Sequence, residues 1–252
     1  MIPKKIHYCW FGGNPLPENH KKYIASWEKF FPDYEIIEWN ESNFDVNSNL
    51  YVQQAYNAKK WAFVSDFARF KILYEQGGIY FDTDVEVIRN MAEIVERGPF
   101  MGTEIKFLDE NDKKQYYYVN PGLGFAAEAS MPFLAELIAE YNKLEFLNSD
   151  GSLNKTTIVK YTTDILSKKG YDVTKKEIQT VADFFVYPPE YFNPLNAKTG
   201  KVNATEHTYS VHWYAASWHT SSEKRRNVLK KILGKKVTYF IVQIKRKILK
   251  NG

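Results

Sequence analysis

The sequence predicts an α/β fold with a parallel sheet, and three features carry that prediction. First, the apolar, aromatic run Ile6 to Phe11 is followed by a helical stretch, Asn19 to Phe30, and a second apolar run, Tyr34 to Trp39. Strand, helix, strand at this spacing is a βαβ unit, whose strands lie parallel. Second, Phe63, Phe67, Phe70 and Tyr74 recur at helical period and lead through Gly77-Gly78 into an alternating stretch, Ile79 to Ile88. Third, 252 residues suit one α/β domain around a single core.

Each element has its own signals. Gly12-Gly13-Asn14-Pro15 closes the first strand, Pro32 stops the first helix, and the polar cluster Asn40 to Asn43 closes the second strand. Gly77-Gly78 ends the central helix in the manner of a left-handed cap. In the stretch that follows, Ile79, Phe81, Thr83, Val85 and Val87 face one way, and Tyr80, Asp82, Asp84 and Glu86 the other. Beyond Pro99 the pattern gives a charged loop over 108–115, a strand at Tyr116 to Val119 and a turn at Pro121-Gly122-Leu123-Gly124. Helices are expected over Met131 to Leu147 and Thr156 to Lys168, with loops at Pro188-Pro189 and Asn193-Pro194. Val211 to Trp218 is rich in aromatics, and no repeat or linker divides the body.

Composition narrows the class. The chain is 44% hydrophobic and 25% charged, which sets aside disorder and low complexity. Its net charge of +4 hides two unlike parts. Lys224 to Gly252 holds 11 basic and no acidic residues, leaving the remainder with 23 basic against 30 acidic side chains. The single Cys9 excludes an intrachain disulfide and fits a reducing compartment. No apolar run resembles a signal peptide or is long enough to span a bilayer.

Chemistry concentrates at Asp82-Thr83-Asp84. Two carboxylates at i and i+2 on an extended chain point to one side, within reach of one hard cation such as Mg²⁺ or Mn²⁺. Such an ion suits a diphosphate, whose charge it neutralises as the group leaves. The plain alternative is a pair of solvated carboxylates, which the apolar flanks Ile79-Tyr80-Phe81 and Val85 oppose. Phosphatases with an Asp nucleophile share the triplet, but they follow it with a Gly-Thr turn where this chain has Val85-Glu86.

The wider pattern resembles a family. Ser65-Asp66-x-x-Arg69, then Leu73-Tyr74-Glu75-x-Gly77-Gly78-Ile79-Tyr80-x-Asp82-x-Asp84, is similar to the core of the DXD sugar transferases of glycosyltransferase family 32. It is similar also to the catalytic domain of the clostridial glucosylating toxins. Ile2 to Gly12 with Pro15-Leu16-Pro17, and His212-Trp213 with Ser217-Trp218, resemble the family's opening and closing motifs, so the likeness covers residues 1–220. The resemblance implies a GT-A type fold, a nucleoside diphosphate sugar donor (UDP-sugar favoured) and a saccharide acceptor, lipid-linked or free. It implies transfer of a hexosyl unit with retention, in capsular polysaccharide or lipopolysaccharide synthesis, with Mn²⁺ or Mg²⁺ as cofactor. Position by position, Trp10 would stack on the base, Asp66 and Arg69 would contact donor sugar and ribose, and Tyr80 would line the donor pocket. Asp82 would contact ribose or the metal through water, Asp84 would bind the metal directly, Trp218 would donate to the diphosphate, and Ser217 or His212 would complete the metal shell. The competing readings are a core tryptophan at Trp10, a helix-surface ion pair at Asp66 and Arg69, and simple packing at His212. The family's Thr-Gly-Pro segment has no counterpart here. Asn120 and Gly124, at the turn before the Met131 helix, are expected to line the pocket. A non-catalytic, membrane-associated binding module of the same fold is the alternative from another class.

The division expected is a transferase domain over 1–222 and a basic amphipathic helical segment over 223–252. Leu229, Ile232, Leu233, Val237, Phe240, Ile241, Ile244, Ile248 and Leu249 recur at helical spacing among lysines and arginines, interrupted at Gly234. Such a helix lies in an anionic membrane interface, each base contributing about 1 kcal/mol. This places the protein in the cytoplasm, peripheral on the inner face of the membrane. Packing of the helix on the domain is the competing reading. Nucleic acid is not expected as a partner, because no recognisable module accompanies the charge.

Overall fold

A computed structural model of the chain describes residues 1–108, 114–196 and 199–215. Ser217, Trp218 and the whole 223–252 segment lie outside the described residues. The described elements belong to one compact unit, Met1–Tyr214.

The first strand, β1 (Lys5–Cys9), forms because its alternation serves two apolar faces. Ile6 and Tyr8 enter one core and Cys9 the other. Helix α1 (Glu18–Phe30) follows and ends before Pro32, whose ring cannot continue a helix. Strand β2 (Glu35–Trp39) then pairs in parallel with β1, from Lys5 opposite Glu35 to Cys9 opposite Trp39. This is the βαβ unit expected. A helix that the sequence did not announce, α2 (Leu50–Asn57), is capped by the Asn49 side chain accepting from the Val52 N–H at 2.8 Å. The long α3 (Trp61–Gln76) leads into β3 (Gly78–Tyr80), which pairs in parallel with the other edge of β1. The chain therefore leaves β1 in two directions, and the carboxyl ends of β1 and β3 flank a topological switch point, where α/β sheets bind ligands.

After β3 come β4 (Val85–Val87), α4 (Ala92–Arg97), β5 (Phe100–Lys106) and β6 (Tyr116–Ala127). Next are α5 (Pro132–Tyr141), α6 (Ile158–Lys168), β7 (Gln179–Val181), β8 (Phe184–Tyr187), α7 (Pro189–Phe192) and β9 (Ser210–His212). The main sheet runs β2-β1-β3-β6-β5-β8-β7, with β4 and β9 forming a separate two-stranded ladder. The α/β class holds, but the sheet is mixed: β6 is antiparallel to both β3 and β5, and β7 to β8. One core contains residues of α2, α3, α5 and α6; the other contains residues of α1, α4, α7 and β4.

Four local expectations are corrected. Ile79 to Ile88 is not one strand but β3 and β4 in different sheets, separated by a turn in which the Val85 N–H donates to Asp82 O at 3.0 Å. Pro121 to Gly124 is not a free turn. It lies inside β6, where the register jumps from Met101 opposite Phe125 to Gly102 opposite Asn120, making a bulge that accommodates a proline. Helix α5 stops at Tyr141, well short of Leu147, which instead bridges Leu153. Gly77 does have positive φ, but with φ 62° and ψ −167° it occupies the glycine-only extended region rather than the left-handed helical one. No helix among the described residues is long and apolar enough to cross a membrane.

His7 pins β1 to this frame. The Trp39 indole N–H donates to its Nδ1 at 3.0 Å, so the neutral ring carries its proton on Nε2, 2.9 Å from Gly77 O. Burial pushes the His7 pKa down to about 4, against the hydrogen bond to Gly77. An unfolded histidine takes up its proton near 6.5, so the unfolded state gains protons first as pH falls. Stability contributed by neutral His7 is full above pH 6.5 and lost as pH drops through 4, a change of about 3 kcal/mol. Urea titrations at pH 7 and 4.5 should show a smaller acid loss in His7→Gln than in the parent. Equal losses would remove His7 as the source.

Candidate active site

The carboxyl ends of β1 and β3 deliver Trp10 and Asp82. The Asp82 N–H donates to Gly122 O at 3.0 Å, tying the strand end to the bulge of β6. The turn through Thr83 then carries the chain into β4, whose register places Val85 opposite His212. The Trp213 N–H donates to Asp84 O at 2.9 Å and closes that corner. The result is a convergent group: His212 Nε2 lies 3.0 Å from Asp84 Oδ1 and 3.9 Å from Asp82 Oδ2. One ligand atom from each of the three residues falls within 4.8 Å of the others. Two carboxylates and an imidazole suit a divalent cation such as Mn²⁺ or Mg²⁺. The local backbone fits that use, because a Cβ on Gly122 would collide with Asp82 Oδ2; only glycine leaves this oxygen room. Burial lowers the pKa of His212, but Asp84 and then Asp82 outweigh it and hold the imidazole above its usual value.

Asp82 divides its two oxygens. Oδ1 accepts from the Tyr80 hydroxyl at 3.2 Å and pairs with Arg69 Nη1 at 3.2 Å, leaving Oδ2 for the His212 side. Arg69 is 3% exposed. Its Nη2 donates to Asp66 Oδ1 at 3.2 Å, its Nε donates to Ser65 O at 3.1 Å, and its guanidinium lies 4.5 Å from the Tyr80 ring centroid. Asp66 and Arg69 therefore form a buried pair on one face of α3, not a surface salt bridge. Burial pushes the Asp66 carboxyl up to about 7, against Arg69, while a backbone bond from Ile158 at the start of α6 also favours the anion. Burial pushes the neighbouring Cys9 thiol up to about 12, so it stays neutral and only carboxylates balance Arg69.

The other expected residues are placed as follows. Trp10 is half-buried; its indole donates to Asn14 O at 2.6 Å, and its ring lies 5.5 Å from His20. His20 Nδ1 is 2.9 Å from Thr83 Oγ1, so Trp10 abuts the middle of the Asp-Thr-Asp turn through one residue. Tyr80 is 1% exposed and reaches the group only through its hydroxyl. Asn120 stands beside the site, its Oδ1 accepting from the Gly122 N–H at 2.8 Å, whereas Gly124 packs toward Phe81 in the core. Sequence reasoning missed His20, Gly122, Glu104 and Tyr214. Glu104 accepts from Asn120 Nδ2 at 2.8 Å and from the Tyr214 hydroxyl at 3.2 Å, and Tyr214 sets its ring edge-on to His212 at 4.2 Å. Gly122 within Pro121-Gly122-Leu123-Gly124 had a signal, its glycine; the others had none.

Arg69 offers a direct test. Removing one partner of a buried ion pair leaves an uncompensated charge and costs about 3–5 kcal/mol. Arg69→Met should therefore lower unfolding free energy by about that amount in urea denaturation. A loss under about 1 kcal/mol, the level of an exposed pair, would show that Asp66 and Asp82 do not depend on it.

The chain is similar to several known proteins. Residues 17–101 match the family described as glycosyltransferase sugar-binding region containing DXD motif. The initiation-specific alpha-1,6-mannosyltransferase of Candida albicans is 24% identical, over 86% of this chain and 72% of that protein. Inositol phosphoceramide mannosyltransferase 1 of Schizosaccharomyces pombe is 26% identical over 56% of this chain, which spans 43% of it. Among solved structures, PaToxG glycosyltransferase aligns with a TM-score of 0.48 and 16% identity, over 67% of this chain and 70% of that one. Galactosyltransferase LgtC aligns with a TM-score of 0.48 and 11% identity, over 86% and 90%. With residues 17–101 matching the sugar-binding region and Asp82 and Asp84 converging on His212, the chain is similar to glycosyltransferases of the DXD type.

Proposed function

We propose that the chain transfers a hexosyl unit from a nucleoside diphosphate sugar to a saccharide hydroxyl, with a divalent cation, in cell-surface polysaccharide synthesis. The observation that carries this reading is the convergence of Asp82, Asp84 and His212 beside the β1/β3 switch point. That placement also supports a GT-A type nucleotide-sugar fold. Asp84, His212 and Asp82 Oδ2 would hold Mn²⁺ or Mg²⁺, which supplies positive charge to the departing diphosphate when bound.

The chain's own residues do the positioning. Arg69 and Tyr80 hold Asp82 by one oxygen, and Asp66 holds Arg69. Trp10 offers its half-buried ring to the base, as its place at the end of β1 supports. By resemblance, Trp218 is the proposed diphosphate contact, and Ser217 or His212 completes the metal shell. A hexosyl donor is supported by the mannosyltransferase names of the yeast relatives. UDP as carrier and retention of configuration rest on the family resemblance.

The test is Asp84→Asn, with UDP binding measured by calorimetry with and without Mn²⁺, and UDP-sugar hydrolysis and transfer assayed in parallel. Metal-enhanced binding should disappear and turnover fall at least about 100-fold, the scale set by losing one transition-state charge contact. Survival of both would overturn the metal role. Metal-enhanced binding without turnover in the parent chain would favour a binding module instead.

The basic 223–252 segment is proposed to attach the enzyme to an anionic, cytoplasmic membrane face, with its charge as support. Flotation with phosphatidylserine vesicles should recover the full chain and not a chain ending at Ser222. Equal recovery would sink the anchor.

A further inference from the structure

Glu104 on β5 is 6% exposed and belongs neither to the Asp82–Asp84–His212 group nor to the Asp66–Arg69 pair. A carboxylate is costly to bury unless its oxygens are matched. Glu104 lies two residues beyond Gly102, the partner of Asn120, and is therefore Asn120's diagonal neighbour on one face of the sheet. Its two oxygens are used differently. Oε1 pairs with Lys106 Nζ at 2.6 Å, which matches its charge. Oε2 accepts from Asn120 Nδ2 at 2.8 Å and from the Tyr214 hydroxyl at 3.2 Å.

Two arms run from that second oxygen. The first ends at Asp82: Asn120 Oδ1 accepts from the Gly122 N–H at 2.8 Å, and Gly122 O accepts from the Asp82 N–H at 3.0 Å. With a donor on one side and a carboxylate on the other, only one orientation of the Asn120 amide satisfies both. The second arm ends at His212, whose ring Tyr214 meets edge-on at 4.2 Å. Tyr214 has φ 49°, a left-handed conformation that a bulky residue rarely holds. It is also 39% exposed, so packing alone does not keep it there. Its hydroxyl is pinned from two sides, donating to Glu104 and accepting from Asn193 Nδ2 at 2.6 Å. His212 depends on this brace. Its Nδ1 is buried without a hydrogen-bond partner among the described residues, whereas a metal-binding histidine ordinarily has its ring fixed by a bond at its second nitrogen.

We propose that Glu104 is a positioning residue of the metal group, one oxygen fixing Asp82 through Asn120 and Gly122 and fixing His212 through Tyr214. The role rests on the reading of Asp82, Asp84 and His212 as a cation site. Glu104 acts there as a hydrogen-bond acceptor and not as an added negative charge.

Titration of the full chain with Mn²⁺ alone tests this, with free ion read from its paramagnetic resonance signal and melting temperature recorded for each variant. Glu104→Ala should weaken Mn²⁺ binding at least about tenfold, the scale set by losing an outer partner of a metal ligand. Tyr214→Phe keeps the ring and loses only the hydroxyl; it should weaken binding at least about threefold at the parent's melting temperature, and it carries the test if Glu104→Ala does not fold. Glu104→Gln keeps an acceptor oxygen for Asn120 and Tyr214 and should stay within about threefold of the parent. Parent-like affinity in Tyr214→Phe, or in a folded Glu104→Ala, would overturn the proposal. So would a loss of about tenfold or more in Glu104→Gln, since charge would then be the cause. A parent chain that binds no Mn²⁺ would overturn the cation-site reading itself, and this role with it.

Discussion

Arg69 is a full positive charge with almost no contact with water, and a buried charge must be matched by fixed partners or the fold does not tolerate it. Its partners are Asp66, one helical turn away on α3, and Asp82 at the end of β3. The helix and the strand are thereby held in one relation by electrostatics as well as by packing. The same contact decides how Asp82 can act: one oxygen is committed to Arg69 and Tyr80, and the other is directed toward His212. A carboxylate anchored at one end presents the other in a single orientation, which is the preorganisation an electrostatic site needs.

Backbone geometry completes what that charge begins. The Asp-Thr-Asp turn is gripped on one side by the bulge of β6 and on the other by the β4–β9 ladder. Gly122 gives Asp82 its space, and the ladder register gives Asp84 its imidazole neighbour. Glu104, Asn120 and Tyr214 then link the bulge to the ring edge of His212, so the two grips are joined behind the site.

Much of this was legible in the sequence because it is local. The βαβ unit, the apolar stripe of α3 and the i, i+3 spacing of Asp66 and Arg69 all follow from chain periodicity. The Asp82 and Asp84 pair was recognisable for the same reason, although the pleat argument gave the wrong geometry: a turn, not a flat strand, brings the two side chains together. What escaped depends on register between distant segments. Pro121 to Gly124 carries every turn signal, yet pairing with β5 makes it a bulge within a strand. Helix α2 has neither a strong apolar stripe nor a flanking glycine or proline, and its Asn49 cap looks like any polar loop residue. The burial of Arg69 was hidden because a charged i, i+3 pair has the same spelling on a surface as in a core.

The β4–β9 ladder has a consequence for how the protein is made. Asp82 and Asp84 leave the ribosome long before His212, and β4 has no ladder partner until Ser210–His212 has been synthesised. The pairings of β1 with β2 and β3, by contrast, involve only residues up to Tyr80. A nascent or prematurely ended chain would hold both carboxylates and lack the imidazole, so the three-residue group is complete only when the last described strand is laid down.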